Sequence, residues 1–207
     1  GYPVRPDLDK WNRANAREHF GIAKEKQVLL VFGGSKGARS INQAITYQLQ
    51  QILPTADVIH ISGELDWPQV EVFRSQLPIS LRESYHAYPY LHEDMGAAIA
   101  AADLVVSRAG ASSLGEFPHF GVPAVLVPYP YAWRYQKVNA DSLAKYGAAE
   151  VMEDSLLQQA LGITVKNMFN NKPKLSMMKK AMAKLNKPNA ASDIAELLYN
   201  LPEVNRS

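Results

Sequence analysis

Hydrophobic and polar positions fall into blocks along this chain, and two periods can be read from them. Val28-Leu29-Leu30-Val31-Phe32 is an unbroken apolar run with β-branched members, as expected of a strand buried on both faces of a parallel sheet. Apolar positions then recur at Ile41, Ala44, Ile45, Leu49 and Ile52, a helical spacing with one face turned inward. The alternation continues and predicts strands over 28–32, 58–62, 85–88, 103–107, 124–127 and 149–152. Helices are predicted over 38–52, 68–76, 93–102, 113–120, 134–146 and 156–167. Strand and helix alternating at this spacing argue for the α/β class, a Rossmann-like doubly wound parallel sheet. Ligands of such sheets sit at the carboxyl ends of the strands. Residues 33–37, 91–93, 108–113 and 128–136 would then share one edge.

The flanks read differently. A polar helix is expected from Pro6-Asp7, with apolar points at Trp11, Ala14 and Phe20, stopped by Gly21. From Ser155 to Ser192 there is no acidic residue, while Lys166, Lys172, Lys174, Lys179, Lys180, Lys184 and Lys187 accumulate. Leu175, Met178, Met182 and Leu185 form a helical stripe beneath them, and Ile194, Leu197, Leu198 and Leu201 form a second. Two helices packed on the domain with lysines in water explain this; attraction to an anionic bilayer is the alternative. The expected organisation is a linker and leading helix over 1–25, a ligand-binding domain over 26–165, and C-terminal helices over 166–207. Those helices would pack on the fold or back across it.

Composition adds limits. The 207 residues suffice to bury a sizeable core, and 47% hydrophobic with 20% charged is ordinary for a globular protein. A net charge of +2 gives no reason to expect nucleic acid, and zero cysteines exclude disulfides and thiolate metal sites. Gly-Tyr-Pro-Val-Arg at the start reads as the middle of a longer protein. The longest apolar stretch, 95–106, contains Asp103 and is too short to span a membrane.

Candidate chemistry concentrates in three segments. Gly33-Gly34-Ser35-Lys36-Gly37 joins a strand to a helix, an arrangement that offers backbone N–H groups and a positive helix end to phosphate. Ser107-Arg108-Ala109-Gly110-Ala111-Ser112-Ser113 repeats that logic, and a diphosphate needs donors from both sides. Glu116 follows Ser113 by three, the spacing of a capping box, or it accepts both hydroxyls of a ribose. Pro118 predicts an irregular first turn in that helix. In the third segment, Tyr131 and Trp133 are core lids or a sugar-stacking wall, and Gln136 and Asn139 share a helix face able to read hydroxyls or an amide. The five histidines show no metal-ligand spacing, and no nucleophile–His–acid set is evident. Asp7-Leu8-Asp9 has the form of an Asp-x-Asp metal clamp, but two acids in a helix's first turn are better explained by the helix dipole.

Together the three segments resemble the C-terminal half of GT-B glycosyltransferases, most specifically the MurG-type peptidoglycan N-acetylglucosaminyltransferases of family 28. The resemblance rests on Gly1-x-Pro3-Val4-Arg5, Gly33-Gly34-Ser35-x-Gly37-Ala38-Arg39, Arg108-x-Gly110-Ala111, Glu116 with Gly121-x-Pro123, Pro128, and Gln136-x-x-Asn139-Ala140. It implies that the amides of Gly34 and Gly37 with Ser35, and Ala111, Ser112 and Ser113 opposite, bind the diphosphate end of UDP-N-acetylglucosamine. It further implies that Glu116 takes the ribose, Gln136 the sugar and the His92 backbone the uracil, with Arg5 near the donor. The family is inverting and uses no metal or cofactor. It transfers N-acetylglucosamine to lipid I to make lipid II, on the cytoplasmic face of the bacterial membrane. Acceptor binding and the general base belong to an N-terminal domain, so no catalytic residue is expected in this chain, which alone would be inactive. A donor-binding subunit of a bipartite glycosyltransferase, a glycolipid synthase and a UDP-sugar 2-epimerase are the alternatives.

Overall fold

The computed structural model describes residues 1–34, 37–131 and 135–200. A 3-10 turn (Pro6–Lys10) leads into α1 (Arg13–His19), β1 (Val28–Phe32), α2 (Arg39–Ile52), β2 (Asp57–Ile61), α3 (Trp67–Gln76), α4 (Ile79–Arg82) and β3 (Tyr85–Tyr88). Then follow α5 (Met95–Ala101), β4 (Leu104–Ser107), α6 (Ser113–Phe120), β5 (Ala124–Leu126), α7 (Tyr135–Lys145), β6 (Ala149–Val151), α8 (Leu157–Asn170), α9 (Lys172–Lys184) and α10 (Ala190–Tyr199). All strand pairs are parallel, in the order β3-β2-β1-β4-β5-β6. That is the Rossmann order, and the chain reverses direction between β1 and β4, the place where such sheets bind ligands.

Alternate residues of each strand feed two cores. Leu29, Val31, Val58, Leu104 and Val106 pack under α2 and α8, against Ile41, Ile45, Leu49, Leu161 and Val165. Val28, Leu30, Ile59, Val105 and Leu126 pack on the other face, against the alanines of α5, Phe117, Leu143 and Met182. β1, at the centre of the sheet, is apolar throughout because neither of its faces meets water.

The leading segment is not one helix. Asn12 ends the 3-10 turn and caps α1, accepting from Ala14 N at 2.9 Å and Asn15 N at 3.2 Å, while Asn15 Oδ1 accepts from Asn12 N at 2.8 Å. Side-chain capping outcompetes helix continuity at such a residue. Asp7 lies 3.6 Å from Arg5 and Asp9 3.4 Å from His119, and the described residues contain no group of three or more potential metal ligands.

Asp103, at the amino end of β4, holds both ends of the chain to the sheet. It accepts from Arg17 at 2.7 Å, from Lys179 at 2.7 Å, from the Val28 amide at 3.1 Å and from Arg13. Arg17 is itself buried, and it also donates to the carbonyls of Ala101, Lys24 and Lys26. Within the lysine-rich segment, α9 packs as expected: Leu175, Met178 and Met182 are buried, and Lys174 pairs with Glu150. The second stripe corrects the sequence reading. Ile194, Leu197 and Leu198 on α10 are exposed, at 39%, 70% and 63%, because nothing among the described residues covers them; Leu201 lies outside the described residues. No described helix is long and apolar enough to cross a membrane.

Candidate functional site

The site is built where β1 and β4 end side by side, Phe32 opposite Ser107. Beyond Phe32 the chain needs glycine. Gly34 and Gly37 take φ of +93° and +74°, and a Cβ on Gly37 would strike the Ser62 carbonyl. The Gly37 N–H donates to Gly34 O at 2.9 Å, so this amide, expected at a phosphate, is engaged within the loop. Ser35 lies outside the described residues. α2 then opens with Ala38 at its cap, which supplies no side-chain acceptor.

Beyond Ser107, the first turn of α6 is wound tightly. Ser113 N donates to Gly110 O, Leu114 N to Ala111 O and Gly115 N to Ser112 O, at 3.2, 3.1 and 3.0 Å. These i to i−3 bonds are the irregular turn expected from Pro118. The Ser113 hydroxyl donates to Gly110 O, so no capping box with Glu116 forms. Glu116 is half-buried. Burial pushes its carboxyl above the usual range, opposed by the charge of Arg5 and the nearby Ser112.

Both loops open on one cavity of about 840 Å³. Gly34, Gly37, Ser112, Ser113 and Gln136 line it, as do Tyr129 and Tyr131. Arg5, His92, Ala111 and Glu116 do not. His92 is exposed at the end of β3 with its ring 4.6 Å from that of Tyr90, and Arg5 runs past the start of α6 near Glu116. Tyr131 is 82% exposed, which removes its reading as a core lid; Trp133 lies outside the described residues. Gln136 Oε1 accepts from the Tyr129 amide at 2.9 Å, leaving its amide nitrogen as the group it can offer. Asn139 does not line the cavity, and its Nδ2 donates to Ala109 O at 3.0 Å and ties α7 to the second loop.

Sequence reasoning missed a polar cluster in the cavity wall. Arg108 forms an ion pair with Asp154 and donates to Ser40 Oγ at 2.8 Å and Val127 O at 3.1 Å. Ser40 Oγ donates to Asp154 Oδ1 at 2.8 Å, and the guanidinium lies 5.2 Å from the Tyr129 ring centroid. The ring joins the first turn of α2 to the segments that follow β4, β5 and β6. Opposite charges just beyond two strand tips were its only signal.

Comparison with known proteins agrees with this geometry. The model of the glycosyltransferase family 28 C-terminal domain matches residues 28–198. The chain is 39% identical over 221 residues to a protein of Roseiflexus sp. (strain RS-1), spanning 97% of this chain and 50% of that one. It is 40% identical over 207 residues to one of Desulforamulus reducens, spanning 97% and 55%. Both are named UDP-N-acetylglucosamine--N-acetylmuramyl-(pentapeptide) pyrophosphoryl-undecaprenol N-acetylglucosamine transferase. The chain thus spans about half the length of the curated relatives it matches. Among solved structures, MurG of Acinetobacter baumannii superposes with a TM-score of 0.73 at 27% identity, over 96% of this chain and 56% of that one. A UDP-GlcNAc 2-epimerase from Neisseria meningitidis shares the fold, with a TM-score of 0.62 at 16% identity over 90% of this chain and 48% of that one. A Rossmann-ordered sheet with paired glycine loops, matched by the family model over most of its length, places the chain in glycosyltransferase family 28 as its C-terminal domain.

Proposed function

We propose that this chain is the donor-binding half of an inverting N-acetylglucosaminyltransferase, which takes UDP-N-acetylglucosamine and serves transfer to a lipid-linked muramyl-pentapeptide. The observation that carries the reading is the shared cavity of the two glycine loops at the β1/β4 reversal. The Gly34 amide, the Ser112 and Ser113 end of α6, and Ser35 bind diphosphate; Ala111 shapes the same turn. Glu116 accepts the ribose hydroxyls, reached from the cavity past Ser112, and Gln136 and the tyrosines meet the sugar. His92 contributes backbone to the uracil, and Arg5 borders the donor. In the transfer, an acceptor hydroxyl oxygen bonds to the anomeric carbon as the carbon–oxygen bond to UDP breaks. The hydroxyl proton passes to a base outside this chain. Helix ends and loop amides stabilise the departing diphosphate, the work a metal does in other transferases.

On this reading residues 1–25 join two domains and α9 buttresses the donor domain, on the cytoplasmic side of the membrane. Calorimetry tests it. UDP and UDP-N-acetylglucosamine bind, and Glu116→Ala weakens both by about tenfold or more, since two charge-assisted hydrogen bonds are lost. Absence of binding to the folded chain overturns the reading.

A further inference from the structure

We infer that Arg39 is the side chain that meets the donor's diphosphate, aimed by a buried hydrogen-bonded chain running from Tyr85 through His60 and Asn42 to Asp66. This rests on the donor-binding reading above. Two guanidinium groups line the cavity among the described residues, and they differ. Arg108 is 9% exposed in its side chain, and its donors go to Asp154, Ser40 and Val127. Arg39 is 66% exposed in its side chain. Among the described residues only its Nε is engaged, donating to Asp66 Oδ1 at 3.1 Å. Its terminal nitrogens are the ones left to present to an anion, in the forked geometry that suits phosphate.

The position itself is unfavourable for folding. Arg39 is the first residue of α2, whose opening turn holds no acidic residue, so a cation sits at the positive end of the helix dipole. A bound anion at the same spot turns that cost into a gain, because helix end and guanidinium then act on it together. Residues that break a local rule in this way mark functional places.

The aiming chain is fully specified. Asn42 Nδ2 donates to Asp66 Oδ2 and to Ser62 O, both at 2.8 Å. Its Oδ1 is therefore the acceptor for His60 Nε2 at 2.9 Å, which makes Nε2 the protonated ring nitrogen. Nδ1 then accepts from the Tyr85 hydroxyl at 2.7 Å. Asn42, His60, Asp66 and Tyr85 are all buried. A buried network with every member satisfied is rigid, and this one ends on the carboxylate that grips Arg39.

Binding of UDP and of uridine, by calorimetry and ligand-observed NMR, tests the assignment on wild type, Arg39→Ala and Asp66→Asn, with thermal unfolding of each. Arg39→Ala should weaken UDP by about tenfold and leave uridine unchanged, as expected for a partly exposed charge-assisted contact. Asp66→Asn should weaken UDP several-fold, again sparing uridine, whatever it does to unfolding. UDP affinity of Arg39→Ala within about twofold of wild type overturns the assignment of Arg39 alone. So does an equal loss for UDP and uridine. A wild-type chain that binds no UDP overturns it together with the donor-binding reading.

Discussion

Replacing Asp103 by Asn isolates the anchor that ties α1 and α9 to the sheet. The side chain is 6% exposed and faces three cations. Arg13 and Lys179 are 47% and 35% exposed in their side chains, so each contact contributes only about 0–1 kcal/mol. Arg17, 2% exposed, decides the magnitude. Removing one partner of a buried pair leaves an uncompensated charge, at a cost of about 3–5 kcal/mol. For a chain of this size that corresponds to a fall in Tm of roughly 6–20 °C. Urea unfolding followed by circular dichroism gives the change directly. Replacing the pair by apolar groups, Asp103→Leu with Arg17→Met, should recover much of the loss, because no buried charge is then stranded. The pH dependence has a defined sign. Burial pushes the Asp103 carboxyl up, but Arg13 and Lys179 hold it below its ordinary value. Its contribution is therefore complete above the ordinary carboxylate pKa and is lost as pH falls through the lower folded value. A loss under about 1 kcal/mol for Asp103→Asn would refute the argument, since it would make Arg17 indifferent to its partner.

Other expectations follow from the same geometry. Burial pushes His60 down to about 3 from 6.5, so the unfolded chain binds the extra proton between those values and stability falls as pH drops through that window. At pH near 4.5 the loss is about 3 kcal/mol, and His60→Gln should flatten the unfolding curve against pH. Glu116 has a raised folded pKa, which gives a stability contribution present below the ordinary value and lost above it. Glu116→Gln should therefore raise Tm at neutral pH while weakening UDP. Met182→Ala should cost about 2–5 kcal/mol in chemical unfolding. Leu197→Ala, on an uncovered helix face, should change stability by no more than about 0.5 kcal/mol.

The elements that could be read from the sequence are those whose neighbours are dictated by burial on both faces. β1 runs over Val28–Phe32 as expected, since five apolar residues end in glycines that only a turn requires. The strand expected over 58–62 begins instead at Asp57, a polar residue that pairs with Val28 and accepts from Lys26. The single leading helix failed at Asn12, where a side chain offers the backbone a local alternative. α4 was missed because four residues are too few to show a period. The stripe on α10 is a helical one like that on α9, and a helical spacing does not say what covers a face. At the site, positive-φ glycines announce themselves by residue type. The Arg108–Ser40–Asp154 ring does not, because each member alone looks like a surface residue and only the fold brings them together. The same holds for Asn139, whose partner is a backbone carbonyl, and for His60, one polar residue inside an apolar run.

The most direct test of the account is an amide-resolved NMR titration of the chain with UDP. The central claim is that two glycine loops from neighbouring strands grip one diphosphate. Amides of Gly34 and Gly37 should shift together with those of Gly110, Ser112 and Ser113 along one saturation curve, while Glu25 and Thr55, at the opposite edge of the sheet, stay still. Shifts in only one loop, or two loops following different curves, would contradict it.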